Sequence, residues 1–165
     1  MQWELPKQVT GRLLVERGRP ETGATVPAEF SGELFFGNGV SAGFFCSFLS
    51  EIQQWAIVSG TRGYLSVQDF VLPVAGDTTC FDVVNSNYHI QKTDFRMEPG
   101  RQTHTTAEPS HGHPDAQEAI MFRHFAEVVL SGKLNAEWPE IALRTQRVMG
   151  ACLASARNGG AAVTF

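Results

Sequence analysis

Alternation of apolar and polar positions dominates the first half of the chain and predicts antiparallel β-strands. Residues 9–16 alternate with period two, and a cleaner alternation begins at Ala28. The pattern resumes after a Gly-Asn-Gly turn at residues 37–39, which is typical of a β-hairpin. If Phe36 pairs with Val40 across this turn, the even-numbered residues of both strands share one buried face.

Turn-forming residues predict two further hairpins and one long loop. Residues 60–61 and residues 85–87 each separate two segments of strand-like composition. The polar stretch from Pro99 to Pro114 is rich in His, Thr and Gly, and it is predicted to be a surface loop. The predicted strand pairs are 53–59 with 62–68, and 78–84 with 88–97.

Helical spacing replaces the alternation in the last third of the chain and predicts two helices. Asp115 with Glu118 three residues later has the form of a capping box, and Gly132 is placed to end the first helix. The second helix opens at Trp138-Pro139, because proline is tolerated in a first turn, and an Asn-Gly-Gly run ends it. The stripes predicted to pack inward are Ala119, Phe122, Phe125, Ala126 and Val129, then Ile141, Ala142, Thr145, Val148, Met149, Cys152 and Ala156.

These elements, with a short returning strand over residues 161–165, predict an α+β fold in a single domain spanning residues 1–165. The architecture is an open, mainly antiparallel β-sheet with helices packed on one face. The uncovered face is then left for water, a ligand or another subunit. Three aromatic side chains, Phe45, Tyr64 and Phe95, are placed there by the pattern, and they favour a ligand or a subunit unless loops cover them.

Composition narrows the class of protein. With 42% hydrophobic and 18% charged residues among 165, the chain is typical of a folded globular domain. It contains no apolar run long enough to cross a membrane and no secretory pattern at its start. A net charge of −4 without any basic block indicates no nucleic-acid partner. Cys46, Cys80 and Cys152 form no disulfide or zinc pattern, and we expect buried thiols in a reducing cytoplasm.

No catalytic, cofactor-binding or metal-ligating residue is assigned from motifs, because each candidate motif is incomplete. Residues 37–42 (Gly-Asn-Gly-Val-Ser-Ala) fit a dinucleotide fingerprint, but a strand is predicted where that motif requires a helix. His104, His111 and His113 cluster in the predicted loop without the further ligands that zinc needs. Four acidic residues on or beside strands are candidate general bases, and nothing singles one out. They are Asp69, Asp77, Asp82 and Asp94.

Several segments, taken in order, resemble one family over about residues 7–165. The matching segments are 44–48, 53–58, 60–70, 125–133, 142–151 and 155–160. Together they resemble the C-terminal domain of the glucose–fructose oxidoreductase / inositol dehydrogenase (Gfo/Idh/MocA) family. In that domain a Gly-Thr-x-Gly-x-Leu turn, here Gly60 to Leu65, links two strands of an open sheet.

The resemblance implies an NAD(P)-dependent oxidoreductase acting mainly on sugars, inositols and related polyols. In the family an N-terminal Rossmann domain binds NAD or NADP, while the sheet domain shapes the substrate site and mediates dimer or tetramer contacts. The family's fingerprint, its Glu-Lys-Pro stretch with the catalytic lysine and its Asp-x-x-x-His segment have no counterpart here. Glu4-Leu5-Pro6-Lys7 differs from the second, and Asp115 has no histidine four residues later. We therefore expect a detached half, with its Rossmann domain missing.

Three functional hypotheses follow. The first is a substrate-shaping domain of a sugar- or polyol-type oxidoreductase that forms homo-oligomers through its sheet face. Such a chain would bind no cofactor itself and would be inactive without its Rossmann domain. The second is a stand-alone, non-catalytic module that binds carbohydrate or a partner on its sheet. The third is a metal-assisted hydrolase that uses the histidine loop. In each case we expect a cytoplasmic protein without nucleic-acid or membrane partners.

Overall fold

The chain forms two compact units in the computed structural model, which describes residues 4–18, 20–21, 23–71, 78–109 and 113–165. One unit comprises Met1–Glu51 with Leu134–Phe165, and the other comprises Ile52–Lys133. In chain order the elements are β1 (Gln8–Gly18), β2 (Thr25–Phe35), β3 (Ser41–Ser47), β4 (Ala56–Gly60), β5 (Gly63–Val67), β6 (Thr78–Gln91), β7 (Asp94–Ala107), α1 (Gln117–Ser131), α2 (Glu137–Arg157) and β8 (Val163–Thr164).

Each unit contains an open antiparallel sheet of four strands and one helix. The first sheet has the order β3-β2-β1-β8, and the second has the order β4-β5-β6-β7. The predicted α+β class with open antiparallel sheets is therefore confirmed, although the strands fall into two sheets instead of one. The predicted return of the chain after the second helix is also confirmed, because β8 pairs with the start of β1.

Small residues allow helix α2 to lie directly on β1 in the first unit. The amide of Gly11 donates a hydrogen bond of 3.0 Å to the Oγ of Ser155, and both residues are buried. A Cβ atom at Gly11 would clash with the carbonyl oxygen of Cys152, so this approach requires glycine. Val9, Phe30 and Cys152 form the buried core around the contact. Burial also raises the pKa of the Cys152 thiol above its ordinary value.

The predicted Gly-Asn-Gly hairpin is confirmed together with its register. The amide of Phe36 donates to the carbonyl oxygen of Val40 at 2.8 Å. Asn38 (φ 63°) and Gly39 (φ 74°) adopt left-handed backbone conformations, which these two residue types tolerate best. The shared face of even-numbered residues is buried on β2 only, because β3 is the edge strand. The exposed even-numbered side chains of β3 are Ala42, Phe44 and Cys46.

The two hairpins of the second unit exist, but the second is much longer than predicted. The β4–β5 turn lies at residues 61–62, one residue after the predicted position. The predicted turn at residues 85–87 is wrong, because Asn87 pairs with Glu98 inside a continuous β6–β7 ladder. The chain turns instead at residues 92–93, where Lys92 has a φ of 56°.

The predicted surface loop from Pro99 to Pro114 is wrong as far as Ala107, where β7 ends. Its polar composition resembles that of a loop, but threonine is β-branched and favours extended backbone. Thr103, Thr105 and Thr106 each pair with a residue of β6. Because both faces of this strand carry polar residues, its sequence lacks the apolar alternation that would have predicted it.

Helix α1 is present with a different start from the predicted one. Its N-cap is Ala116, and no side chain caps the helix, so the predicted capping box of Asp115 and Glu118 is wrong. The amide of Asp115 instead donates to the Nδ1 of His113 at 3.1 Å. The predicted end is confirmed, because Gly132 closes the helix with a left-handed φ of 65°.

Several side chains predicted to be buried are exposed. In the apolar stripe of α1 only Ala119 is half-buried, and no described residue of that helix is buried. The stripe of α2 is covered in part, and Ala142, Thr145 and Met149 remain exposed. Among the cysteines only Cys152 is buried, so the predicted burial of Cys46 and Cys80 is wrong. Periodicity thus identified the apolar side of each helix without showing how much of it the chain itself covers.

Candidate functional site

One face of the second sheet brings polar side chains from three strands together. Residues that pair directly in an antiparallel ladder point to the same face, so the register defines two adjacent rows across β5, β6 and β7. We call this surface the Asp82 face. Its rows are Ser66, Asp82 and Thr103, then Tyr64, Val84 and Arg101.

Asp82 is the best-held carboxylate of this surface. Its Oδ1 accepts a hydrogen bond of 2.6 Å from the Oγ1 of Thr103, and its Oδ2 accepts one of 3.0 Å from Arg101. The Asp82 side chain is only 19% exposed, whereas that of Arg101 is 61% exposed. Both carboxylate oxygens are therefore engaged in fixed positions, while the guanidinium reaches into solvent.

This arrangement suits ligand binding better than proton transfer. Both Asp82 oxygens already accept a hydrogen bond, one of them from a charged donor, so neither is left without a partner as a general base would require. Arginine has five N–H donors in a rigid plane, and the bond to Asp82 occupies one nitrogen. The remaining donors can bind hydroxyl or carboxylate oxygens of a ligand lying against the half-buried Tyr64 ring.

Asp69, a second candidate base, lies at the end of β5 near the other face. Its Oδ2 accepts a hydrogen bond of 2.8 Å from the Oγ1 of Thr79. Its Oδ1 is buried and has no hydrogen-bond partner within the described ranges. The backbone of Asp69 forms an isolated parallel bridge with Gln54, which fixes the position of the carboxylate. The structure does not bring Asp69 to the Asp82 face.

The other candidates that the structure describes contact different residues. Asp94 forms an exposed ion pair with Arg96 at 3.4 Å, and Asp77 lies outside the described residues. His104 stacks on Phe81 with ring centroids 4.9 Å apart, while His113 lies near the start of α1. His111 lies outside the described residues. Within the part of the chain that the structure describes, no three His, Cys, Asp or Glu side chains are grouped for a metal.

The apparent dinucleotide fingerprint at residues 37–42 is a hairpin turn. Residues 37–39 form one 3₁₀ turn, and the chain continues directly into β3. A pyrophosphate needs the amides of a helix N-terminus, and this stretch provides a strand. The interpretation as a turn is confirmed, and residues 37–42 do not fit the cofactor.

The first sheet carries a polar surface of its own. A depression of about 430 Å³ opens over its glycine-rich centre. Phe45 pairs with Ser31 and is exposed on the face opposite Phe30, as the sequence predicted. The polar side chains lining the depression are Thr10, Arg12, Ser31 and Glu33.

Comparison with known protein families does not identify a function for these surfaces. No protein-family model matches the chain. Among the helices of the described residues, none has both the length and the apolar character needed to cross a membrane.

Two residues that hydrogen-bond to Asp82 are not predicted from the sequence. Arg101 and Thr103 were assigned to a loop, and Asp82 was one of four equivalent aspartates. A spacing of two between Arg101, Thr103 and Thr105 was the available signal, because it places all three on one face of a strand. The polar residues between them concealed this alternation.

Proposed function

We propose that this chain is the substrate-shaping and self-associating sheet part of an NAD(P)-dependent oxidoreductase that acts on sugars or polyols. One observation carries the proposal, namely the hydrogen-bonded cluster of Asp82, Arg101 and Thr103 on the sheet face that also carries Tyr64. Fixed polar groups beside an aromatic ring match the alternating hydroxyl and C–H surface of a sugar. The sequence resemblance to the Gfo/Idh/MocA family supports the same class of substrate.

Each residue of the cluster has a distinct binding role in this proposal. Arg101 donates hydrogen bonds to substrate hydroxyl oxygens, and Asp82 holds the guanidinium in one orientation. Thr103 fixes the second carboxylate oxygen, so Asp82 does not rotate away from Arg101. None of these residues binds nicotinamide, so the hydride-transfer site requires a Rossmann domain of the parent protein. The chain itself is expected to position substrate without oxidising it.

Substitution of Arg101 tests this proposal. We expect Arg101→Ala to weaken binding of a hexose or inositol panel at least about tenfold, because hydrogen bonds to charged groups contribute about 1.5–3 kcal/mol. Ligand-observed NMR and calorimetry measure the affinities of the full chain. The matched control is Arg96→Ala, which removes an exposed arginine from the opposite face of the β6–β7 ladder. Equal affinities of the two variants for every ligand that the unsubstituted chain binds would contradict the proposal, as would the absence of any binding.

Self-association and a cytoplasmic location complete the proposed function. Large apolar side chains remain exposed on both sheets, and such surfaces usually mark interfaces between subunits. Cys46 and Cys80 are exposed free thiols, which favour a reducing compartment. We therefore propose a cytoplasmic homo-oligomer of at least two copies.

A stand-alone carbohydrate-binding module is the second candidate. The depression on the first sheet favours it, because Arg12, Glu33 and their polar neighbours form a second polar surface in the other unit. Arg12→Ala separates the two candidates. If it abolishes sugar binding while Arg101→Ala leaves it unchanged, the first sheet is the binding surface and the module is supported.

A further inference from the structure

The β6–β7 hairpin extends well beyond the rest of its sheet. β5 pairs with β6 only from Phe81 to Val84, whereas β6 continues to Gln91 and returns as β7. Residues 85–100 therefore form a two-stranded extension, which we call the ribbon. At about 3.3 Å per residue the ribbon is roughly 20 Å long. Two strands alone are marginally stable in water, so a second layer on the ribbon would stabilise it.

The two faces of the ribbon differ sharply in polarity. On one face Tyr88 pairs with Met97 and Ile90 pairs with Phe95, and these four side chains are 53–73% exposed. The Tyr88 and Phe95 rings contact each other, with centroids 5.9 Å apart. The opposite face carries His89, Gln91, Asp94, Arg96 and Glu98. The ribbon is therefore amphipathic, and its apolar face has the composition of a buried surface.

The charge of the ribbon narrows the choice of partner. Two basic residues, Lys92 and Arg96, balance two acidic residues, Asp94 and Glu98, so the ribbon has a formal net charge of zero. Anionic lipids and nucleic acids require basic clusters, which the ribbon lacks. A neutral ribbon from a second copy can approach without repulsion, although each whole chain carries −4.

The area of the apolar face suits a pair of identical ribbons. Four side chains that are more than half exposed present on the order of 100 Å² each. With the flanking Ser86 and Pro99, two copies would bury about 1,000 Å² in total, at the lower limit for a specific interface. Such an area is consistent with a dimer that dissociates on dilution.

We propose that two copies of this chain pack the apolar faces of their ribbons against each other about a two-fold axis. The inference rests on the self-association in the proposed function, and it assigns the contact to the ribbon, whose apolar side chains continue the same face of β6 and β7 beyond Asp82 and Arg101. Tyr88, Ile90, Phe95 and Met97 of each copy form its centre.

Sedimentation velocity on matched variants of the full chain tests this assignment. Between about 1 and 200 µM the unsubstituted chain should shift from monomer to dimer, as expected for an interface of this area. Phe95→Asp should keep the chain monomeric throughout, because it places a charge in the centre of the contact. Gln91→Asp adds the same charge to the opposite ribbon face, and Ile57→Asp adds it beside Ser66 in the sheet body. Both controls should dimerise normally.

The possible results distinguish the proposed ribbon contact from self-association through another surface. Loss of the dimer in Ile57→Asp with retention in Phe95→Asp would overturn the ribbon contact and leave self-association standing. A monomer at every concentration of the unsubstituted chain would overturn both. A photocrosslinking benzoylphenylalanine at position 95 gives a second measurement that avoids added charge. Adducts within residues 85–100 of another copy support the contact, and adducts elsewhere contradict it.

Discussion

At the scale of single residues, packing in the first unit depends on the absence of a side chain at Gly11. Because Gly11 has no side chain, the carbonyl oxygen of Cys152 can approach β1, and the Oγ of Ser155 can accept a hydrogen bond from the Gly11 amide. Each of these residues is buried, and their contacts join α2 to the sheet. Hydrophobic periodicity does not report such close approaches, because glycine and serine carry little apolar signal.

Gly11→Ala should destabilise the chain by about 2–4 kcal/mol, because its methyl group meets backbone that cannot rotate away. The measurement is urea unfolding followed by circular dichroism. Gly43→Ala is the matched control, since a Cβ there meets nothing closer than an ordinary contact on an edge strand. Similar midpoints for the two variants would show that α2 does not lie on Gly11 in solution.

The three thiols should differ in reactivity. Cys46 and Cys80 are exposed, whereas burial raises the pKa of the Cys152 thiol and keeps it protonated. At pH 8 we expect two thiols to react rapidly with an aromatic disulfide reagent and the third only after unfolding. Cys152→Ala should leave both rapid reactions, while three equally rapid reactions in the unsubstituted chain would contradict the buried position.

The raised Cys152 pKa also gives a pH dependence of stability. Between the lower unfolded pKa and the higher folded pKa, the folded chain holds more protons than the unfolded chain. The contribution of the neutral thiol is therefore complete below the ordinary thiol pKa and is lost as pH rises through the folded value. We expect the unfolding free energy of the unsubstituted chain to fall above about pH 9 more steeply than that of Cys152→Ala.

At the scale of elements, helix α2 shows how backbone conformation decides the effect of a glycine. Gly150 lies inside the helix with open space around it, and Gly159 lies just beyond the end with a φ of 65°. A side chain at the first position replaces a flexible residue in a helix. A side chain at the second meets the strain of a left-handed conformation.

We expect Gly150→Ala to stabilise the chain by about 0.5–1 kcal/mol and Gly159→Ala to destabilise it by about 1–2 kcal/mol. Thermal unfolding of the two variants beside the unsubstituted chain measures both effects. Each position is the other's control, because the same methyl group is added to the same helix region. A shift of the same sign in both would contradict the helix end at residue 157.

Sequence patterns predicted the elements of this fold more completely than their lengths. The Gly-Asn-Gly hairpin was predicted with its register, because residues with left-handed conformations separate two clear alternations. The β6–β7 hairpin was predicted with the wrong turn, because Asn85, Ser86 and Asn87 have turn composition but pair across a ladder. Arg101 was not predicted in the site, because the polar composition after Pro99 resembles a loop although β7 continues there. Cross-strand pairing is non-local, and composition within a short window does not contain it.

At the scale of the whole molecule, different surfaces are proposed to have different functions. The Asp82 face is proposed to position a sugar or polyol, and the ribbon is proposed to join two copies. Binding of the nicotinamide is proposed for a Rossmann domain of the parent protein, and residues 37–42 of this chain form a turn leading into a strand. Exposed apolar residues on α1 and on both sheets are consistent with a chain that works against other surfaces.

Titration of the full chain with NADH and NADPH, followed by cofactor fluorescence, tests the central claim most directly. The account predicts no change in fluorescence at any cofactor concentration up to the millimolar range, with or without a sugar ligand. Saturable binding in the micromolar range would contradict it, because a nucleotide site would then exist within these 165 residues.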